Sequence, residues 1–246
     1  MRIKITISSD KKEVPVPVHY NNLVQGAIYN KIDDPGFREY LHSMGFSFEK
    51  RKFKLFTFSR LMGNFKFDKA SRMLVFKSPI KLVISSPLSL LIKELGNGLI
   101  KEGTIRFGEE VLEIKDLEAY SKEIKEDRIL VKMISPVVTY STIEKEGRKF
   151  TYYYSPYEDR FQETIAGNLA KKASLIYESK PDKNSLQITP KKVSPNDRKI
   201  IKFKGTVIQG WLGKYELKGA PKLLETAYYA GLGSKNSQGF GCFELL

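Results

Sequence analysis

Cysteine, tryptophan and histidine are scarce in this chain: one Cys, one Trp and two His in 246 residues. A single thiol, Cys242, excludes an intrachain disulfide and a cysteine-rich zinc site. Two imidazoles, His19 and His42, are too few for a histidine-rich metal site. The acids form no Asp-x-Asp pattern, and neither Asp33-Asp34 nor Glu109-Glu110 with one histidine builds a two-metal centre. No metal or other cofactor is expected. Long apolar runs are also missing: none approaches the ~20 residues that cross a bilayer. The opening Met-Arg-Ile-Lys-Ile-Thr-Ile-Ser alternates charge with hydrophobe and is no signal-peptide core. These absences lead us to expect a soluble, cytoplasmic protein without membrane partners.

Negative charge is the other shortage. Lys and Arg number 42 against 28 acids, a formal charge of +14. Such an excess favours a polyanionic partner through counterion release. Between Lys180 and Lys222 there are eleven Lys or Arg and three acids (Asp182, Asp197, Glu216), so 11 − 3 = +8 of the excess sits in one region. Within it, Gln187-Ile-Thr-Pro-Lys191-Lys192-Val and Lys199-Ile-Ile-Lys202-Phe-Lys204-Gly mix lysines with apolar residues, the pattern of a sheet with one basic face. Any one lysine is ordinarily a solvated surface residue; the cluster is read as a nucleic-acid groove. RNA suits a half-buried sheet better than DNA, because such sheets stack unpaired bases on aromatics. Tyr152, Tyr153, Tyr154, Phe203 and Trp211 are the candidate stackers, although no RNP-type signature selects among them.

Taken in order, Ile3, Ile5 and Ile7 alternate with polar residues as a half-buried strand. Asn21 or Asn22 then caps a helix with Leu23, Val24, Ala27 and Ile28 on its apolar face. Asp34-Pro35 caps a short second helix ending near Gly45. Strands follow at Lys54–Ser59, Met73–Phe76 and Ile80–Ser85, a helix after Ser86-Pro87, and strands at Thr104–Phe107 and Val111–Ile114. Strand, helix, strand, strand, helix, strand is the ferredoxin-like order.

The order recurs. Strands are predicted at Ile129–Met133, Val137–Ser141 and Lys149–Tyr154. A capping box at Ser155-Pro-Tyr-Glu158 opens a long helix with Phe161, Ile165, Leu169 and Ile176 on one stripe and Lys171 and Lys172 toward its end. Strands at Ile200–Gly210 and Leu212–Leu217, a helix from Pro221 and a strand at Phe240–Leu245 complete the second unit. The charged stretch Asp116–Asp127 is the expected seam. The fold class is α+β, two tandem ferredoxin-like (RRM-like) domains spanning 1–120 and 121–246.

The last sixteen residues, Gly231-Leu-Gly-Ser-Lys-Asn-Ser-Gln-Gly-Phe-Gly-Cys-Phe-Glu-Leu-Leu246, place Gly231, Gly233, Gly239 and Gly241 around Lys235. One glycine would cap the preceding helix; four outline an anion cradle, in which backbone N–H groups meet a phosphate and Lys235 adds a charge. The spacing is neither a P-loop nor a dinucleotide fingerprint.

Gly-Leu-Gly-Ser-Lys-Asn-Ser-Gln-Gly-Phe-Gly resembles the glycine-rich signature of the repeat-associated RNA-binding proteins of CRISPR systems, most closely the Cas6 endoribonucleases. The resemblance implies that this loop joins the last helix to the last strand of the second ferredoxin-like domain and contacts the RNA backbone. Gln25-Gly-Ala-Ile-Tyr29-Asn, Tyr40-Leu-His42 and Lys54-Leu-Phe-Thr-Phe-Ser resemble N-terminal segments of the same family. By that resemblance Tyr29 is a general base or phosphate ligand, His42 the principal acid–base residue and Lys54 the stabiliser of a phosphorane, with Lys50 and Lys52 as alternatives for the lysine role. The implied activity is metal-independent cleavage of CRISPR precursor RNA within each repeat, with 2′-hydroxyl attack leaving 5′-hydroxyl and 2′,3′-cyclic phosphate ends and generating guide RNAs. The rival is a non-cleaving RNA-binding subunit of a CRISPR effector complex. The expected partner is repeat RNA, with a monomer or homodimer equally compatible.

Overall fold

The computed structural model describes residues 1–177 and 186–246. Lys180, Asp182 and Lys183 of the basic segment therefore lie outside the described residues. No helix among the described residues is long and apolar enough to cross a membrane.

Two antiparallel sheets organise the chain. In the first, the strand order is Thr57–Phe58, Ile80–Ser85, Arg2–Ser8, Glu110–Tyr120, Thr104–Phe107. The opening strand is central because its isoleucines are buried: Ile3, Ile5 and Ile7 pack with Val24 and Ile28 of helix Asn21–Asn30 and with Leu91, Leu95 and Leu99 of helix Ser89–Glu102. In the second sheet the order is Leu186–Lys192, Lys214–Gly219, Arg128–Met133, Phe243–Leu245. Helices Asp159–Tyr177 and Pro221–Ala230 cover it, sharing a core of Phe161, Ile165, Leu169, Leu223 and Leu224 with Val131, Tyr215 and Leu217. Each sheet places its first strand between its third and its last, the ferredoxin-like arrangement.

Several predicted elements shift. Glu110–Tyr120 runs through half of the expected seam, because Ala119 and Tyr120 still pair with Ile3 and Arg2. Only Thr57–Phe58 of Lys54–Ser59 is a strand, with Leu55 at positive φ. Val137 makes a single bridge to Trp211, and the hairpin after it pairs Tyr140–Lys145 with Arg148–Tyr153. The predicted strand Ile200–Gly210 is a hairpin, Arg198–Phe203 against Thr206–Trp211, because Lys204 and Gly205 turn at φ 45° and 85°. The long helix starts at Asp159, after the Ser155–Glu158 turn. Neither Asn21 nor Asn22 caps the first helix: Tyr20 occupies that position without a side-chain bond.

The two halves meet through buried contacts. Arg2, fully buried, donates from Nε to Ser85 Oγ (3.1 Å) and from Nη2 to the Tyr228 carbonyl (2.6 Å), with its guanidinium 3.4 Å from the centre of the Tyr228 ring. The Arg60 amide donates to the Ile134 carbonyl (3.0 Å), and Val83, Ile134 and Cys242 form a small apolar cluster at the seam.

Candidate functional site

The glycine-rich segment lies between the halves. Helix Pro221–Ala230 stops at Gly231, and a single 3₁₀ turn, Asn236–Gln238, precedes the last strand. From the first half, Asn21 Nδ2 donates to the Gln238 carbonyl (2.8 Å), Gln25 Nε2 to the Ser237 carbonyl (2.7 Å) and Thr57 Oγ1 to the Phe240 carbonyl (2.8 Å). From the second half comes Lys172, 2% exposed. Its Nζ reaches the carbonyls of Gly231 (2.7 Å) and Gly233 (3.0 Å) and Asn236 Oδ1 (2.6 Å). Asn236 closes the loop on itself by donating to the carbonyls of Leu232 and Phe240. Burial of Lys172, which meets no carboxylate among the described residues, pulls its pKa from 10.5 down to about 7.

This packing alters the meaning of the four glycines. All have positive φ, but a Cβ on Gly241 would lie 2.0 Å from the Leu232 carbonyl oxygen, and one on Gly233 2.4 Å from that of Val138. Gly231 and Gly239 abut Thr57 and Phe58 of the first half. The glycines are required for the fold of the loop on the protein, and exposed backbone for an anion is confined to the turn: the amides of Lys235, Asn236 and Ser237 donate to no described residue. Lys235 sits there at φ 61°, its Nζ 5.1 Å from the Tyr140 ring, and partial burial lowers its pKa.

In front of the turn is a cleft of about 710 Å³. One lip is the first-half segment Arg51 to Phe56; the other comprises Tyr140 to Thr142; Thr164, Asn168 and Lys172 of the long helix form a wall. Arg51, Lys52, Lys54 and Lys235 make its lining cationic.

Tyr29, His42 and Lys54 come together at the first-half lip. Asp34 caps helix Pro35–Glu39 by accepting from the Phe37 amide (2.5 Å), and the chain then widens into a single π-helical turn, Tyr40–Met44, ending at Gly45 with φ 63°. Leu41 turns into the core and leaves His42 exposed. The Tyr29 ring meets the His42 ring edge-on at 5.2 Å between centroids and Phe56 at 5.7 Å. Lys54 Nζ donates to the His42 carbonyl at 2.7 Å. A Cβ on Gly45 would collide with the Phe53 carbonyl oxygen at 2.6 Å, so glycine lets the turn pack against the chain just before Lys54. Burial pushes the Tyr29 phenol up to about 12, while burial and then Lys52 lower the Lys54 ammonium. Of the alternatives, Lys52 lines the cleft and Lys50 is exposed on a neighbouring turn.

The remaining sequence candidates divide. Lys202 and Lys204 are exposed on the Arg198–Trp211 hairpin, with the Lys202 amide donating to His19 Nδ1 (3.3 Å). Lys192 is exposed, whereas Lys191 pairs with Glu216 at 3.4 Å, which also binds Arg128 at 2.6 Å. Phe203 is buried with Val138, Ile208 and Phe240, so it is not available as a base stacker. Trp211 packs against the second core, Tyr153 donates to the Val207 carbonyl, Tyr154 donates to Ser141 Oγ, and Tyr152 alone of the five is exposed over nearly half its surface.

Sequence reasoning missed Asn21, Gln25, Thr57, Asn168 and Lys172. For Lys172 a signal existed: it lies three residues past Leu169 and seven past Ile165, on the buried stripe rather than on the solvent face.

Comparison with known proteins follows the same two-part layout. A model for the Cas6 C-terminal region matches residues 119–245, and one for the Cas6 N-terminal region matches 15–118. This chain belongs to the Cas6 family. It is 30% identical to the CRISPR-associated endoribonuclease Cas6 1 of Methanocaldococcus jannaschii, covering 98% of this chain and 91% of that protein. It is 27% identical to the CRISPR-associated endoribonuclease Cas6 of Pyrococcus furiosus, covering 100% of this chain and 90% of that protein. The solved structure of a Cas6-related protein from Pyrococcus furiosus shares the Cas6 fold: TM-score 0.86 at 21% identity, over 100% of this chain and 98% of that one.

Proposed function

We propose that this chain is an endoribonuclease that cuts CRISPR precursor RNA within its repeats. The observation that carries the reading is the junction of Tyr29, His42 and Lys54 at the lip of a cationic cleft, in a protein of the Cas6 family. In this reading residues 1–120 supply the cleavage groups and residues 121–246 the glycine-rich loop that grips the backbone.

The reaction needs one base, one acid and a positive charge. The 2′-hydroxyl attacks its own phosphate, forming a 2′,3′-cyclic phosphate and breaking the bond to the 5′ oxygen. His42 carries an imidazole, a side chain that can both accept and donate a proton. It takes the 2′-hydroxyl proton, and that proton ends on the departing 5′ oxygen. Lys54 spends one N–H on the His42 carbonyl and has two left for the charge that builds on the phosphorane. Tyr29, with its pKa up at about 12, keeps its proton near neutrality and acts as a hydrogen-bond donor to phosphate rather than as the base.

The test is cleavage of a repeat RNA in excess EDTA by wild type and His42→Ala, with a second substrate carrying 2′-deoxy at the nucleotide before the cut. Cutting that persists in EDTA and fails with either change supports the mechanism. Tight binding without cutting by the wild type would replace this reading with that of an RNA-binding subunit.

A further inference from the structure

The wall of the cleft contains polar groups that the proposed cleavage chemistry does not use. Thr164, Asn168 and Lys172 recur every fourth residue along helix Asp159–Tyr177, so they form a column on one side of it, beside the stripe of Phe161, Ile165 and Leu169 that enters the core. Lys172 is satisfied by the loop carbonyls and Asn236. Asn168 is not: it is only 6% exposed, and its Oδ1 is shut off from solvent without a hydrogen-bond partner among the described residues. Gln238, from the 3₁₀ turn on the same cleft, has a buried Oε1 in the same condition. Two unsatisfied carboxamide oxygens in one cleft work against stability of the free protein and call for a ligand that brings donors.

The lining narrows the chemistry. Arg51, Lys52, Lys54 and Lys235 favour an anion, the half-buried Tyr140 ring offers flat apolar surface, and the unsatisfied groups are carboxamides, which pair with the edges of nucleobases. We infer that the cleft between the Arg51–Phe56 segment and the glycine-rich loop holds one nucleotide of the RNA, and that Asn168 and Gln238 turn their buried carboxamide oxygens toward its base to accept from an exocyclic amine. Adenine, cytosine and guanine carry such an amine and uracil does not, so uridine is disfavoured at that position. Lys54 lines the same cleft, which puts the recognised nucleotide close to the scissile phosphate. This inference rests on the proposed function for the identity of the RNA but not for its cleavage.

The experiment measures Kd for repeat RNAs carrying each of the four bases, one position at a time, at the three nucleotides on either side of the cut or, if no cut is made, across the whole repeat. Wild type, Asn168→Ala and Gln238→Ala are compared, together with their thermal midpoints without RNA. At one position the wild type is expected to bind the amine-bearing bases at least about tenfold more tightly than uridine, and both variants to lose that preference there while keeping it elsewhere. Asn168→Ala, which removes an unsatisfied buried group, is expected to melt at or above the wild-type midpoint. A wild type indifferent to base at every position, variants that retain its full preference, or an Asn168→Ala protein that melts several degrees lower would each overturn the inference. Because binding is the readout, an RNA that is bound but never cut counts only against the proposed chemistry.

Discussion

The ammonium of Lys172 lies 2.7 Å from the carbonyl oxygen of Gly231, joining the long helix of the second half to the residue where the last helix stops and the glycine-rich loop begins. That ammonium holds three acceptors of the loop. Replacing it with methionine leaves the three acceptors without their donor, a loss of about 3–9 kcal/mol at roughly 1–3 kcal/mol per stranded group. Chemical denaturation of Lys172→Met is the check, and a midpoint equal to wild type would show that the loop holds without it.

The same lysine sets a pH dependence. Its pKa falls from 10.5 to about 7 on burial, so between those values the unfolded chain carries a proton that the folded chain sheds. The unfolded state binds more protons there, and stability contributed by this group therefore rises with pH from about 7 to 10.5. Denaturation across that window should show the rise in wild type and a flatter profile in Lys172→Met.

Glycine substitutions in the loop are expected to act on folding before they act on RNA. Gly241→Ala forces a Cβ to 2.0 Å from a main-chain oxygen at φ 79°, whereas Gly205→Ala, at the tip of a hairpin, meets nothing within 4 Å. Both bear the left-handed penalty of about 1–2 kcal/mol; only Gly241→Ala adds a backbone collision. Thermal melting should therefore fall further for Gly241→Ala than for Gly205→Ala. Equal losses would return the loop glycines to a role in phosphate approach alone.

In single-turnover cleavage, His42→Ala is expected to lose about 10²- to 10⁴-fold, the usual contribution of a positioned acid or base. Tyr29→Phe keeps the edge contacts to His42 and Phe56 and gives up only a hydroxyl, so a loss of about tenfold is expected. A Tyr29→Phe loss as large as that of His42→Ala would make the phenol a proton carrier despite its burial.

Arg2 anchors the two halves with a planar group that lysine does not reproduce. Arg2→Lys removes the fork that bonds Ser85 and the Tyr228 carbonyl and the stack on the Tyr228 ring. A loss of about 2–4 kcal/mol is expected from two charged hydrogen bonds at roughly 1.5–3 kcal/mol each, partly recovered by the new ammonium. Urea denaturation measures it; an unchanged midpoint would mean that the seam is held by its apolar contacts.

Local signals carried most of the fold. Alternation at Ile3, Ile5 and Ile7, the Asp34-Pro35 cap and the helix opened by Pro221 each follow from properties of a few adjacent residues, and those properties survive in the folded chain. Where the reading slipped, at the seam through Tyr120 and at the Lys204-Gly205 turn, pairing with a distant strand or a positive φ decided the outcome. The resemblance in the sequence named Tyr29, His42 and Lys54, and the fold brings these three to one lip.

By itself the sequence determined the repeated order of strands and helices, the excess of positive charge in the second half and the scarcity of metal-binding side chains, because each depends on composition or on near neighbours along the chain. Tertiary structure alone decided which loop acceptors Lys172 clamps, that the loop glycines face protein, and that Asn168 and Gln238 share a cleft. Those facts depend on which surfaces two separate sheets present to each other, and no spacing within 246 residues encodes that distance directly.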